Sequence, residues 1–221
     1  MKRLSLIVVG VLLLLSGGMV KAQKPFKGKI VYSIKYEGRE LTPNEKMQMP
    51  TEVEFLFGDG KVKQTTKTPM GDVVLIQDLE GKKVVMLLDL MGNKIAVTEP
   101  DTAKKELDKD IKYEKIDESK TIAGYKCKKM KISRGDTTIE VFYAEDLYVP
   151  KGTMLFGFDE RLENVPMEYT MPTQDEELTM TYKAKEVEPM KKVKKKEFRI
   201  PADYQQVTKE ELKKMFGGGG Q

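Results

Sequence analysis

The sequence predicts a mostly β protein of the α+β class, with a single antiparallel sheet and one or two helices. Three observations lead to this prediction. Apolar and polar residues alternate through successive short segments, which is the period of a half-buried strand. Short links that contain glycine separate these segments, as in antiparallel hairpins. No linker divides the chain into two cores, and the single cysteine excludes an internal disulfide.

The N-terminus has the pattern of a secretory signal peptide. Lys2 and Arg3 precede an apolar stretch, Leu4–Leu15, and small residues follow as far as Ala22. The apolar stretch is shorter than the roughly 20 residues that span a bilayer. We therefore expect cleavage of residues 1–22 after Ala22, a periplasmic or secreted protein, and no transmembrane segment afterwards. Removing this segment lowers the formal net charge from +4 to +1, which argues against a nucleic-acid partner.

The first strands are predicted from a period of two. In KIVYSIKYE, Ile30, Tyr32 and Ile34 share one face, and in TEVEFLF Phe55 and Phe57 do the same. Asp59-Gly60 then supplies a tight hairpin turn, because these residue types accept positive φ angles. The segment that links these two strands, RELTPNEKMQMP, is predicted to be a polar loop.

The next two strands, DVVLIQD and KVVMLLDL, are apolar on both faces. Such strands are typical of the centre of a sheet that is covered on both sides. Two predicted helices could provide that cover: Asp101–Asp110, and a helix that begins after Thr208 with Glu211 at the capping-box spacing. The predicted domain covers residues 23–216, and the glycine tail 217–221 is expected to be disordered.

Two later segments complete the predicted topology. Residues Tyr148–Glu177 contain three prolines and no sustained period, so they are expected to be irregular. A short strand, KEFRI, is expected after the lysine run Lys191–Lys196. The run is interpreted as a solvated edge that discourages aggregation, with contact to anionic lipid as the alternative.

The composition argues against an enzyme. The chain has no histidine, which is the usual general base near neutral pH, the commonest metal ligand and the usual activator of serine and cysteine nucleophiles. No carboxylate spacing matches a calcium loop. The sequence predicts no catalytic residue, no cofactor and no metal site, and Met47 and Met49 form only a weak copper-like pattern.

The stretch KTIAGYKCKKMKI contains the only cysteine, Cys127. Tyr125 and Cys127 share a face of a predicted strand, and a one-residue bulge near Lys128-Lys129 would bring Met130 to that face. The hypothesis is a buried thiol that acts as a small apolar side chain. The alternative is a reactive thiolate activated by the neighbouring lysines.

This stretch also carries a resemblance. KTIAGYKCKKMKI, with DTTIEVFYAEDL, FKGKIVYSIKYEG and FRIPADYQQV, is similar to a family of secreted Bacteroidetes proteins catalogued as a domain of unknown function, with an I-x-G-Y-x-C motif at Ile122–Cys127. That family resembles the LolA/LolB-like superfamily of lipoprotein carriers. The resemblance implies a curved antiparallel sheet or half-barrel with one or two helices packed on it. It assigns no catalytic residue.

Two functional hypotheses follow. The first is an exported, non-enzymatic binding protein whose curved sheet holds an apolar or amphipathic ligand, such as a lipid or acyl chain. The second is a cell-envelope protein interaction or assembly module with a fully packed core, acting through Tyr148–Glu177 or the lysine run. For the first hypothesis, the predicted lining consists of apolar residues at alternating strand positions: Tyr32, Ile34, Phe55, Phe57, Met86 and Met180.

Overall fold

The computed structural model describes residues 24–217 except 91, 102–109, 154, 157, 159–160 and 176. The strands are β1 (Gly28–Gly38), β2 (Glu52–Gly58), β3 (Lys61–Thr68), β4 (Gly71–Asp78), β5 (Lys83–Leu90), β6 (Asn93–Pro100), β7 (Lys112–Ile122), β8 (Tyr125–Arg134), β9 (Thr137–Tyr148), β10 (Asn164–Pro172), β11 (Leu178–Pro189) and β12 (Gln205–Val207). The helices are α1 (Pro43–Gln48), α2 (Lys209–Gly217) and a 3-10 helix, Lys195–Phe198.

All twelve strands belong to one sheet, in the order β12-β6-β5-β4-β3-β2-β1-β11-β10-β9-β8-β7. Neighbouring strands pair antiparallel, except that β12 runs parallel to β6. The predicted class, a mostly β fold with one antiparallel sheet, is therefore confirmed. The central ladder joins β1 to β11, so strands from the two ends of the chain meet in the middle of the sheet.

The sheet is curved. Gln77 of β4 donates a hydrogen bond from Nε2 to the carbonyl oxygen of Gly152, which lies four residues beyond the end of β9. Strands β4 and β9 are six steps apart in the sheet, about 29 Å if it were flat. Four extended residues span at most about 14 Å, so only a curled sheet allows this contact.

The two faces of the sheet are covered by different parts of the chain. We call the face that carries Tyr32, Phe55 and Phe57 the inner face. The connection between β9 and β10, residues 149–163, packs against it. The opposite, outer face is covered over β2, β4, β5 and β6 by the C-terminal segment 190–204, through Val193 and Phe198.

This outer cover corrects one prediction. The expected strand KEFRI is the 3-10 helix Lys195–Phe198, followed by Arg199 and Ile200 outside any strand. The cover that the structure describes on the outer face comes from Val193 and Phe198, while the interior of the predicted helix Asp101–Asp110 lies outside the described residues. Within the lysine run, Val193 is buried while the flanking lysines are exposed, so the run holds an apolar contact to the sheet.

Two tight hairpin turns set the register of their strands. Asp59 and Gly60 have φ angles of 53° and 67°, which confirms the predicted turn between β2 and β3. Ala123 and Gly124, with φ of 48° and 84°, form a second such turn. The stretch around Cys127, predicted as one strand, therefore divides into the end of β7 and the start of β8.

The predicted bulge near Lys128-Lys129 lies instead on the neighbouring strand. The β8–β9 pairing runs without interruption from Cys127 to Arg134. The irregularity is between Ile116 and Ser119 of β7, where Asp117 and Glu118 are inserted. Cys127 and Met130 consequently belong to different apolar clusters.

Helix α1 was not predicted, although its signal is local. Pro43 occupies the first turn, and Thr42 and Glu45 form a capping box. Arg39 donates hydrogen bonds to Glu45 at 2.5 and 2.9 Å, and this pairing lowers the pKa of Glu45 to about 2. Helix α2 follows Thr208, whose hydroxyl accepts from the backbone of Glu211, as predicted.

The prediction that Tyr148–Glu177 is irregular is only partly correct. Part of the segment Tyr148–Glu177 forms β10, which the sequence did not indicate because Pro166 and two register shifts interrupt its period.

Three predictions concern residues outside the described part of the chain. They are the signal peptide, the interior of the helix Asp101–Asp110 and the tail at residues 218–221. Among the helices that the structure describes, none is long and apolar enough to cross a membrane.

Candidate functional site

Two rows of side chains cross the inner face over six strands, from β1 to β6. The strand pairings give one row as Ile30, Phe55, Gln64, Leu75, Met86 and Val97, and the other as Tyr32, Val53, Thr66, Val73, Leu88 and Ile95. None of these twelve residues is charged at neutral pH. The strand pattern thus builds an extended apolar face, as the alternation in the sequence predicts.

Over β1, β2, β10 and β11 this face is filled by the chain itself. Phe156, from the β9–β10 connection, lies with its ring centroid 5.0 Å from that of Tyr32 and 4.8 Å from that of Phe55. It also contacts the rings of Tyr169 and Tyr182, at 5.1 and 4.8 Å. Phe156 has φ of +55°, a strained conformation for a bulky residue that its four ring contacts stabilise.

Over β4 and β5 the inner face is only partly covered. Five apolar side chains there are partly exposed to solvent, and they are neighbours on two paired strands: Val73, Leu75, Val84, Met86 and Leu88. We call these five residues the β4–β5 patch. On β6, the next strand, Ile95 and Val97 are 3% and 2% exposed. The predicted cover of both faces is present on the outer face, whereas the described residues cover this part of the inner face only partly.

A polar stripe separates the patch from the filled region. On β3, Gln64 donates from Nε2 to the hydroxyl of Thr66 at 3.2 Å. On β4, Gln77 donates to Asp101 at 3.1 Å and to Gly152 at 3.2 Å. The side-chain nitrogens of Gln64 and Gln77 therefore already have acceptors within the chain. The stripe marks one boundary of the β4–β5 patch.

The six predicted lining residues divide into two groups. Tyr32, Phe55 and Phe57 are at most 1% exposed and belong to one aromatic core, with Phe55 and Phe57 stacked at 6.0 Å. Ile34, Met86 and Met180 are partly exposed. Met86 lies in the β4–β5 patch, whereas Ile34 and Met180 lie on β1 and β11, away from it. As ligand contacts, all six remain a prediction.

The chemistry available on the face is limited. Tyr32 is the only residue of the two rows with an ionisable side chain, and its hydroxyl donates to the carbonyl oxygen of Pro166 at 2.7 Å. Burial raises the pKa of Tyr32 well above its usual range, so the hydroxyl stays protonated. The patch can bind apolar groups by contact, and it offers no described group for proton transfer.

Cys127 is away from the patch and fully buried. Its exposed fraction is 0%, it lies in the same cluster as Tyr32 and Ala144, and its thiol donates to the carbonyl oxygen of Tyr125 at 3.3 Å. Burial raises the pKa of the Cys127 thiol. The side chains of Lys126 and Lys128 are instead paired with Glu145, at 3.3 and 2.7 Å. The geometry agrees with the hypothesis of a structural thiol.

We therefore expect Cys127 to resist modification in the native protein. A thiol reagent such as Ellman's reagent should label it in denaturant but not in buffer, because both the thiolate fraction and access are low. Cys127→Ala should lower the free energy of unfolding by about 1 kcal/mol. Native labelling at the rate of an exposed thiol would contradict this assignment.

With this geometry established, the comparisons with known proteins place the chain in a family. The model of a domain of unknown function, DUF4412, matches residues 40–155, more than half of the 221 residues. The chain belongs to this family. The match confirms the predicted membership of a family of unknown function. The DUF4412 match includes the β4–β5 patch and the Ile122–Cys127 stretch. A comparison with curated protein sequences finds no match.

This DUF4412 protein is similar in structure to proteins whose structures have been solved. The structure of PNGF-II in the P21 space group has a TM-score of 0.51 and 16% identity, over 86% of this chain and 33% of PNGF-II. The crystal structure of MucB has a TM-score of 0.45 and 12% identity, over 84% of this chain and 60% of MucB. The chain thus spans about a third of PNGF-II. The likeness to PNGF-II shows a shared fold alone.

The sequence contained part of the signal for the patch. The apolar residues of both faces of β4 and β5 were recognised, but Val73, Leu75, Val84 and Leu88 were not identified as lining residues. Whether a face of a strand is covered depends on distant segments, here 149–163 and 190–204. Strand periodicity carries no information about such cover.

Proposed function

We propose that the protein is an exported, non-enzymatic binding protein that holds an apolar or amphipathic ligand, a lipid or an acyl chain, against the inner face of its curved sheet. The observation that carries this proposal is the β4–β5 patch, five neighbouring apolar side chains that the described chain leaves partly exposed. Contiguous apolar patches on soluble proteins often mark binding sites.

Further features support the proposal. The curved antiparallel sheet agrees with the resemblance to the LolA/LolB-like carriers, which implies such a sheet. Met86 brings a flexible thioether side chain to the patch, which suits acyl chains of varied shape. Export would follow from the signal peptide predicted at residues 1–22, and it would place the protein where envelope lipids and lipoproteins occur.

The alternative hypothesis placed a protein-binding site in Tyr148–Glu177. Leu155, Val165, Met167 and Tyr169 of this segment are all buried in the described structure. Deleting Leu155–Met171 should therefore unfold the protein, since it removes β10 and much of the core. The buried part of that segment is structural, so the deletion would not distinguish a lost partner site from a lost fold.

A direct test compares ligand binding by a variant of the β4–β5 patch and by a control variant. The purified protein should bind a fluorescent fatty acid saturably. The double variant, Leu75→Gln combined with Met86→Gln, should bind it at least tenfold more weakly. The reason is that two buried apolar contacts contribute at least about 1.4 kcal/mol, the equivalent of a tenfold change. Met180→Gln is the matched control, because Met180 is also partly exposed but lies on β11; it should change the affinity less than about twofold.

Two results would contradict the proposal. One is the absence of saturable binding by the unaltered protein, together with a blank lipid extract of protein purified from its native compartment. The other is equal loss of affinity in the Met180→Gln control, which would move the site to the other half of the face. Circular dichroism of each variant separates lost binding from lost folding.

A further inference from the structure

Strands β9 and β10 pair over only part of their length. Their ladder ends at Tyr169–Val141. Beyond that pair, β10 continues along β11 to Pro172, and β9 continues along β8 to Thr137. All residues of 137–141 and 169–172 are described, so the strands separate here inside the sheet. We call the opening between 137–140 and 170–172 the fork.

The fork is a cleft of about 500 Å³. Both separated strands line it, together with the ends of their ladder and one residue of β11: Thr137, Thr138, Glu140, Phe142, Glu168, Tyr169, Thr170, Pro172 and Thr179. Hydroxyl side chains dominate its outer rim, where Thr138 and Thr170 are exposed.

Backbone groups of both strands point into the fork. The N–H of Thr173 donates to the carbonyl oxygen of Leu178 on β11, which fixes the alternation along β10. Thr170 and Thr181 are therefore a non-hydrogen-bonded pair, in agreement with their hydroxyl contact at 2.8 Å. The N–H and C=O of Thr170 consequently face away from β11 and towards β9.

The same alternation applies to β9. The hydroxyls of Ser133 and Thr138 lie 3.1 Å apart, the close approach typical of a non-hydrogen-bonded pair with β8. The backbone groups of Thr138 and Glu140 then face away from β8 and towards β10. Two rows of donors and acceptors thus face each other across the fork, continuous with the ladder that ends at Val141.

Side chains beneath the fork are incompletely covered. Ile139 and Met171 point to the inner side and are partly exposed. One step along, where the strands pair, Val141 and Tyr169 are 0% and 2% exposed. A segment inserted between the strands would bury Ile139 and Met171 as the ladder buries its own residues.

The outer edge of the sheet is protected in a way that the fork is not. Strand β7 carries alternating charges and the insertion at Asp117 and Glu118, features that discourage pairing with another strand. The fork is lined by four threonines, its two carboxylates, Glu140 and Glu168, are paired with lysines, and Pro172 blunts its end. The fork therefore offers the more accessible template for strand pairing.

We propose that the fork is a docking site for an extended segment of a partner protein, which adds a strand between β9 and β10. Main-chain hydrogen bonds to Thr138, Glu140 and Thr170 hold it, as in other cases of strand addition. Its side chains alternate: apolar residues point inwards to Ile139 and Met171, and hydroxyl or other small polar residues face Thr138 and Thr170. This site is separate from the β4–β5 patch and does not depend on the proposed lipid ligand.

The test uses a capped synthetic peptide of alternating threonine and valine, followed by NMR of the nitrogen-15 labelled full chain. The amide signals of Thr138, Glu140 and Thr170 should shift saturably, and their hydrogen exchange should slow roughly tenfold or more. The amide of Glu114 on β7 should not change. A peptide with proline in place of the central valine should not bind, because it lacks a donor.

Paired variants locate the binding. Thr170→Pro removes the N–H that faces the fork without removing a bond to β11, and should weaken peptide binding at least about tenfold. Thr181→Val removes the hydroxyl partner on the neighbouring strand and leaves the fork backbone intact, so the affinity should stay within about twofold. If Thr170→Pro does not fold, Thr138→Pro tests the opposite strand of the fork.

Four outcomes would overturn the proposal. The first is slow hydrogen exchange of the three amides in the free protein, which would mean that β9 and β10 pair in solution. The second is a set of peptide-induced shifts at residues outside the fork. The third is protection that increases with protein concentration alone, which would identify a second copy of the chain as the occupant. The fourth is the same set of shifts on addition of a fatty acid, which would assign the fork to the lipid ligand.

Discussion

Replacing Phe55 by alanine should lower the free energy of unfolding by about 3–5 kcal/mol, the range found for large aromatic residues in cores. Phe55 is 1% exposed and contacts the rings of Tyr32, Phe57 and Phe156 at 4.8 to 6.0 Å. Truncation removes these contacts and leaves a cavity between the sheet and the β9–β10 connection. Urea unfolding followed by circular dichroism measures the change.

The control for this experiment is Met47→Ala. Met47 on α1 is 52% exposed, so its truncation should change the free energy of unfolding by less than about 0.5 kcal/mol. A loss below about 1 kcal/mol for Phe55→Ala would mean that the aromatic core is loosely packed. Such a result would favour the prediction that Phe55 lines a ligand site.

Replacing Gly58 by alanine should destabilise the protein by about 1–3 kcal/mol through overpacking. A Cβ atom at Gly58 would lie 2.7 Å from the Cβ and 2.9 Å from the Cγ2 of Val193. The C-terminal segment lies this close to β2 because position 58 has no side chain. The alanine would push Val193 away from Leu56 and Phe198, its neighbours in the outer cluster.

A double-mutant cycle with Val193→Gly isolates this contact. Val193→Gly alone costs stability because it removes a buried side chain, but it also removes the atoms that the alanine would meet. The double variant should therefore be more stable than the sum of the two single changes predicts, by at least about 1 kcal/mol. Additive effects would show that the segment 190–204 is not held against β2 at this point.

The local features of the fold could be predicted from the sequence. The faces of β1 and β2, the turn at Asp59-Gly60 and the capping of α2 depend on residues close together in the chain, and the structure agrees with all of them. Strand β10 escaped prediction because Pro166 and its register shifts remove the period on which strand prediction depends. The parallel strand β12 is too short to show any period.

The candidate site was predictable only in part, for a related reason. Alternation predicted that Phe55 and Met86 point to the same side as other apolar residues of their strands, and the strand pairings place both in one row of the inner face. Alternation could not show that Phe156 covers Phe55 while Met86 stays partly exposed. The fork was missed as well, because a ladder that stops midway depends on how two strands diverge in space. The sequences of β9 and β10 contain no residue pattern that predicts the fork.

The ladder between β1 and β11 has a consequence for how the protein is made. Gly28 pairs with Pro189, so the centre of the sheet can form only after residue 189 has been synthesised. Contacts so distant in sequence slow folding, because a long loop must close before any of them forms. Such a delay would favour the proposed export, since premature folding would block passage through a narrow translocation channel.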